Sequence, residues 1–375
     1  KSLRRGFSLN APFPVCKFGP KASTCPDVPS QDYEMDPSNQ KLKWSKPPDT
    51  VLVIKRIDNE TNSQFIALVT WLMETSNITV YVEEKLLKNA QLKSDVGFQQ
   101  KFNKLKSNFS PNKIDMVICL GGDGTLLYAA SLFQYSMPPV VAFHSGSLGF
   151  ITSHKFESYR DTINNVLSGN ATLMLRSRLR CCVHRKSEPV MNSNGEQDSN
   201  SEKPSSYLCL NEVVVNRGQS QYLCNIDLFL EGRRITSVQG DGLIISTPTG
   251  STAYAVAAGA SMVHPNVPAI MVTPICPHSL SFRPIIVPAG VELKFTVSEN
   301  ARGPASVSFD GRPNFDINIG DFVTVRTSVH PTPCVCRSNP FDDWFDSLSE
   351  CLHWNSRQIQ KKFSKEKINN YSVFV

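Results

Sequence analysis

The run from Ile114 to Leu120 is apolar except for Asp115, and it leads directly into Gly121-Gly122-Asp123-Gly124-Thr125. Three glycines let a backbone approach a phosphate closely, and a helix starting at this point adds unpaired amides and about half a positive charge. The pattern is a phosphate cradle. It is neither a GxxxxGKS/T loop nor a GxGxxG dinucleotide loop, and the protein-kinase signature set is absent. Asp123 is the informative residue. A bare carboxylate repels phosphate oxygens, so contact with an attacking hydroxyl or with magnesium explains it better than a phosphate contact.

Two further segments carry polar chemistry. Asp241-Gly242-Leu243-Ile244-Ile245-Ser246-Thr247-Pro248-Thr249-Gly250-Ser251-Thr252-Ala253-Tyr254 ends a strand in short hydroxyl, Pro and Gly residues and then enters an Ala-rich run read as a helix. Such a concentration of short donors and acceptors suits a base, a ribose or a phosphate, with Tyr254 adding aromatic surface. Asn211-Glu212 sets an amide beside a carboxylate within an otherwise apolar strand, where the pair could fix ribose hydroxyls or an adenine edge.

These residues need a frame. Val51–Ile54, Ile78–Val82, Ile114–Leu120 and Pro139–Phe143 read as strands, with helical spacing at Phe65, Leu68, Val69 and Leu72 and again from Thr125 to about Tyr135. The alternation predicts a parallel sheet covered on both faces, with ligands beyond the carboxyl ends of its strands. From about residue 171 the chain turns into many short β runs, including Leu173 to Val183, Tyr207 to Val215 and Phe322 to Val325. The fold class is therefore α/β, a doubly wound nucleotide-binding domain followed by a β-rich domain. The expected divisions are a flexible arm over 1–48, the α/β domain over 49–168, the β-rich domain over 169–340, and a C-terminal helix and tail over 341–375. Residues 185–206 read as a disordered insertion, and Phe341, Trp344, Phe345, Leu348, Cys351 and Leu352 as one helical stripe.

Composition narrows the partners. Of 39 basic residues five precede Asp27, so the rest of the chain sets 34 against 33 acids and lacks the overall charge of a nucleic-acid binder. No run is long enough to span a bilayer. Eleven cysteines without a CxxC pair read as reduced, structural thiols of a cytoplasmic protein. Arg4-Arg5-Gly6-Phe7-Ser8 would suit a basophilic protein kinase acting on Ser8.

In this order and spacing, GGDGTLL, the LNEVV segment, DGLIISTPTGSTAY and PHSLSFRP resemble the NAD kinase family, and its eukaryotic cytosolic branch closely. GGDG alone is shared with lipid kinases and phosphofructokinases; the stretch from Asp241 makes the match specific. The resemblance implies transfer of the ATP γ-phosphate to the adenosine ribose 2′-hydroxyl of NAD, with Mg²⁺ accompanying ATP. Asp123 matches the catalytic aspartate, and Gly121, Gly122 and Thr125 complete the loop facing ATP phosphates. Gly124, Phe150, Asn211, Glu212, Asp241, Thr249, Thr252, Ala253 and Tyr254 match NAD-binding positions. A homo-oligomer, often a tetramer, is implied, with no nucleic-acid or membrane partner. The resemblance departs at Gln239 and Ala257, where many relatives carry a basic residue and a serine, and no metal ligand follows from it. A lipid kinase of the same superfamily and a non-catalytic NAD(P) sensor are the alternative readings.

Overall fold

The computed structural model describes residues 15–26, 39–75, 78–89, 91–92, 98–99, 105–146, 148–186 and 205–355. Ser8 and positions 187–204 lie outside the described residues. Two units form around separate cores, and the chain crosses between them near residues 176–179 and 327–332.

The first unit is a ten-stranded sheet whose parallel part runs Thr332–Val335, Val140–His144, Met116–Leu120, Thr50–Lys55 and Thr79–Val82. These strands are buried on both faces, which is why they read as unbroken apolar runs. Val51, Val53, Met116 and Ile118 face the helices Asn62–Thr75 and Tyr159–Leu167 through Phe65, Leu68, Leu72, Ile163 and Val166. Leu52, Ile54, Val117 and Cys119 face the opposite way, onto Leu126, Ala129 and Phe133 around the helix Asp123–Ser131.

The sheet is mixed rather than wholly parallel. Thr172–Arg176 and Asn39–Trp44 add antiparallel strands, followed by Ala22–Pro26 and Lys17–Phe18. Part of the span expected as a flexible arm is thus an ordered sheet edge. Lys21 bridges Asp49 at 2.8 Å and the fully buried Asp115 at 2.9 Å, while Asp115 also accepts the Asp49 and Thr50 amides. Pro-rich spacing hides such strands because their pairing partners are distant in sequence.

The second unit packs two six-stranded antiparallel sheets. One runs Ser205–Cys209, Leu179–His184, Phe322–Thr327, Leu293–Val297, Cys224–Leu230 and Arg233–Gly240; the other runs Ile285–Pro288, Ala269–Ile275, Gly242–Ser246, Glu212–Asn216, Ala305–Phe309 and Arg312–Ile317. Alternating burial along Leu179–His184 and Cys224–Leu230 shows one face in the core and one outside. Leu173 to Val183 is therefore two strands in different sheets. The ends of the expected insertion are also ordered: Arg185 pairs with Asp321 at 2.9 Å, and Ser205 and Ser206 lie in a strand. The C-terminal helix Pro340–Leu352 is capped by the Asn339 side chain, which accepts from the Phe341 and Asp342 amides. Leu348 is buried, but Phe341, Phe345 and Leu352 of the expected stripe stay half-exposed.

Candidate active site

The strand Met116–Leu120 delivers Gly121 at its carboxyl end with φ 145°. A Cβ there would lie 2.4 Å from Thr125 Oγ1, so the turn requires glycine. Gly122 caps the helix Asp123–Ser131, and the Thr125 amide donates to Gly122 O at 2.8 Å. Gly122, Gly124 and Thr125 line a cleft of about 510 Å³ together with Arg56, Lys85, Tyr128 and Arg312. A side-chain carbon at Gly122 or Gly124 would meet nothing within 4 Å, leaving the loop backbone open to a ligand. Lys55, which also lines the cleft, is buried and bound to the Arg56 and Asp58 carbonyls.

Asp123 is held by the segment that follows the next strand. Phe150 N donates to its Oδ2 at 2.9 Å, while Ile151 N and Thr152 Oγ1 donate to Oδ1 at 3.1 and 2.9 Å. Gly149 permits this approach, since a Cβ at that position would stand 2.1 Å from Asp123 Oδ1. Phe150, picked out from sequence as a pocket position, meets Asp123 through its backbone.

Asn211 and Glu212 lie at the break between Ser205–Cys209 and Glu212–Asn216. The break is shaped by Asp310, whose carboxylate accepts the amides of Leu210, Asn211 and Glu212 at 2.6, 2.8 and 3.0 Å. The segment after Asp241 closes over the same turn. Thr247 N donates to Asn211 O at 2.8 Å, and Thr247 Oγ1 to Leu210 O at 2.6 Å. A Cβ on Gly250 would come within 2.3 Å of Asn211 O, so only glycine lets the two backbones touch.

Thr249 and Thr252 occupy a 3-10 turn in which Thr252 Oγ1 donates to Thr249 O at 3.2 Å, and the buried Arg176 donates to Thr249 Oγ1 at 3.4 Å. Ala253 joins that turn to a helix of only four residues, Tyr254–Ala257, shorter than the Ala-rich run predicts because Gly259 turns the chain at φ 88°. Tyr254 is half-exposed, and its amide donates to Glu212.

Two buried acceptors at the centre of this turn have no partner: Asn211 Oδ1 and Glu212 Oε2. A buried polar atom left unpaired costs about 1–3 kcal/mol. Hydroxyl groups of a ligand would satisfy both. Burial and the neighbouring Asp310 charge push the Glu212 carboxyl up to about 8, against the pull of the Tyr254 amide. Burial pushes the Asp310 carboxyl up as well, against the pull of its three amide donors and of Arg178 nearby. At neutral pH Glu212 is then mostly protonated and offers both a donor and an acceptor, which matches a ribose diol.

The native state keeps a proton on Glu212 that the unfolded chain loses above its usual 4.5, so the contribution is favourable at low pH and is lost between about 4.5 and about 8. Glu212→Gln removes this dependence. Urea unfolding at pH 5.5, 6.5 and 7.5 should show wild type losing up to about 1.4 kcal/mol per pH unit relative to the variant. Parallel curves would contradict a protonated Glu212.

The structure brings Asp123, Phe150 and the glycine loop together as one group, and Asn211, Glu212, Thr249, Thr252, Ala253 and Tyr254 as another. Asp241 stands apart. It lies before the strand Gly242–Ser246, whose Ser246 end pairs with Glu212, and it forms an ion pair with Arg217 at 3.0 Å. Five residues of strand place it about 17 Å from Glu212. His278 and Arg283 of PHSLSFRP are exposed.

Sequence reasoning missed Asp310, Arg312, Thr152 and Gly149. Asp310-Gly311, at φ 47° and 72°, is the Asp-Gly turn of a hairpin, and that dipeptide between two β runs was the available signal.

Comparison with known proteins adds independent findings. Residues 50–171 match the family model of the ATP-NAD kinase N-terminal domain, and residues 210–336 that of the ATP-NAD kinase C-terminal domain. A chloroplastic NAD kinase 2 of Arabidopsis thaliana is 43% identical over 327 residues, 86% of this chain and 32% of that protein. An uncharacterized kinase of Schizosaccharomyces pombe is 36% identical over 315 residues, covering 81% of this chain and 79% of its own length. The chain thus spans about a third of the plant relative and most of the fission-yeast one. Among solved structures, yeast NADH kinase complexed with NADH superposes with a TM-score of 0.78 at 29% identity, over 92% of this chain and 97% of the other.

Proposed function

The chain belongs to the ATP-NAD kinase family, and from that membership we propose that it transfers the γ-phosphate of ATP to the adenosine ribose 2′-hydroxyl of NAD, making NADP. The observation that carries this reading is the pair of unpartnered buried acceptors, Asn211 Oδ1 and Glu212 Oε2, in a turn held by Asp310, which lines a cleft together with Gly124 of the glycine loop. Hydroxyls supply what those atoms lack, and phosphates suit the cradle.

In this reading Asn211 and Glu212 hold ribose hydroxyls, while Thr249, Thr252, Ala253 and Tyr254 surround adenine and ribose. Asp123 receives the proton of the attacking hydroxyl. Gly121, Gly122 and Thr125 face the donor phosphates, Gly124 lies on the NAD side of Asp123, and Phe150 anchors the segment that orients Asp123. Phosphoryl transfer needs mostly positioning and charge stabilisation, which these parts provide. Among the described residues no cluster of three or more His, Cys, Asp or Glu could hold a metal ion. In this reading Mg²⁺ enters with the substrate as Mg-ATP.

A homo-oligomer, a tetramer in this proposal, fits two features. Tyr222, Leu223, Ile285 and Ile286 are exposed apolar residues of the β-rich unit. Asp241 is too far from Glu212 to join its own chain's group, so in an oligomer it could serve a neighbour. The functional units in this reading are the α/β domain over 49–168, extended by the N-terminal strands, and the β-rich domain over 169–340. A cytoplasmic setting is supported by the cysteine usage, and no helix of the described residues is long and apolar enough to cross a membrane.

The deciding assay incubates the protein with NAD and Mg-ATP and detects NADP with an NADP-specific dehydrogenase. NADP formed in proportion to enzyme is the expected result. Dinucleotide binding without NADP under any donor or metal would favour a sensor, and phosphorylation of sphingosine instead would favour a lipid kinase.

A further inference from the structure

The cleft beside Gly122 and Gly124 is lined by four cations, Lys55, Arg56, Lys85 and Arg312, but they are not equivalent. Lys55 lies 3.6 Å and Arg56 3.0 Å from Asp58, so that carboxylate accounts for both. Lys85 and Arg312 instead stand over one ring, that of Tyr128, at 5.8 and 5.4 Å from its centroid. Tyr128 is one helical turn beyond Gly124, on the same face, and its hydroxyl donates to Glu83, a carboxylate that lines this cleft. Two like charges gathered at one aromatic ring repel each other, with Glu83 already engaged by Tyr128. Arg312 makes no ion pair among the described residues. An anion lying in the cleft would stabilise both cations together.

Arg312 differs from Lys85 in what carries it. It belongs to the β-rich unit and follows the Asp310-Gly311 turn. That turn is pinned from inside, because the Asp310 carboxylate takes the three amides of residues 210–212 and the Asp310 amide donates to Glu212 O at 2.9 Å. One hairpin thus shapes the Asn211-Glu212 turn with its first residue and reaches the glycine cradle with its third. The neighbouring cleft, lined by Gly124, Tyr128, Asp310 and Arg312, joins the two regions.

We propose that Arg312 binds the polyphosphate of the donor, in concert with Lys85, and that the Asp310-Arg312 hairpin thereby ties donor binding to the acceptor turn. This rests on the kinase reading for the identity of the donor. It does not rest on that reading for the chemistry recognised, a phosphoanhydride polyanion, which a planar guanidinium grips in bidentate fashion.

The test compares wild type, Arg312→Gln and Arg312→Lys. Steady-state kinetics vary ATP and NAD separately, and calorimetry titrates inorganic tripolyphosphate. Arg312→Gln should raise KM for ATP about tenfold or more and weaken tripolyphosphate by a similar factor, with KM for NAD within about threefold of wild type. Arg312→Lys should recover part of the loss as a point charge. Arg312 is exposed, so the fold should survive, and circular dichroism checks it. Unchanged ATP and tripolyphosphate affinities overturn the proposal. So does an equal rise in both KM values, which would mean a merely structural hairpin. A loss for ATP alone also overturns it, because the contact would then be to the nucleoside. If wild type forms no NADP, the tripolyphosphate titration still decides: lost binding in Arg312→Gln upholds the anion site while the kinase reading fails.

Discussion

Asp123→Asn lowers kcat for NADP formation by about 10²- to 10⁴-fold while NAD binding changes little. A carboxylate offers roughly four lone-pair positions. Phe150 N, Ile151 N and Thr152 Oγ1 occupy three of them, leaving one, on Oδ2, for an incoming hydroxyl. The three donors fix the orientation of the carboxylate, so the free position points in one direction. Asparagine keeps the shape but turns one oxygen into an NH₂ group, which must then face a donor or the hydroxyl. Either way the proton of the hydroxyl has nowhere to go. Single-turnover rates and NAD titration separate the two effects: kcat should fall by at least about a hundredfold and the NAD dissociation constant should move by less than about threefold. Turnover within threefold of wild type would remove Asp123 from proton transfer and leave it as the anchor of the 149–152 segment.

That anchoring role marks where sequence reasoning stopped. The glycine cradle was legible because strand, turn and helix follow one another, and each is specified by neighbouring residues. The apolar run Met116–Leu120 could only be a buried strand, and the helix after it needs glycine where Gly121 sits at φ 145°. The donors to Asp123 were not legible. Phe150 was singled out only as matching an NAD-binding position, and nothing in its local pattern shows that its amide meets the Asp123 carboxylate.

Asp310 shows the same limit at longer range. Its three amide partners lie 98 to 100 residues earlier, and its own local pattern says only that a hairpin turns there. Lys21 was counted with a flexible arm because Pro-rich spacing shows no period, yet its ammonium bridges Asp49 and Asp115. What is local in the chain can be read from pattern. Contacts that close only when distant segments meet carry no periodic signature.

Arg178→Met should cost about 3–5 kcal/mol of stability, because it leaves several buried carbonyls without a donor. Arg178 is fully buried, and its guanidinium serves carbonyls from two places. Nε donates to His330 O at 2.7 Å, Nη1 to Phe133 O at 2.6 Å and Ala130 O at 3.5 Å, and Nη2 to Tyr135 O. Ala130 is in the helix that begins at Asp123, and Phe133 and Tyr135 follow it, so the cation lies at the negative end of that helix. His330 lies where the chain returns from the β-rich unit, and Arg178 O accepts Ser328 N at 2.7 Å at the same crossing. Both crossings are therefore held to the far end of the helix that bears the glycine cradle. Methionine fills similar space but leaves these carbonyls unpaired in the interior. Lysine should recover less than half of the loss, since one ammonium cannot span carbonyls that a planar fork reaches together. Urea unfolding of the three proteins measures this directly, and a methionine variant within about 1 kcal/mol of wild type would show that the helix end and the crossing hold each other without the cation.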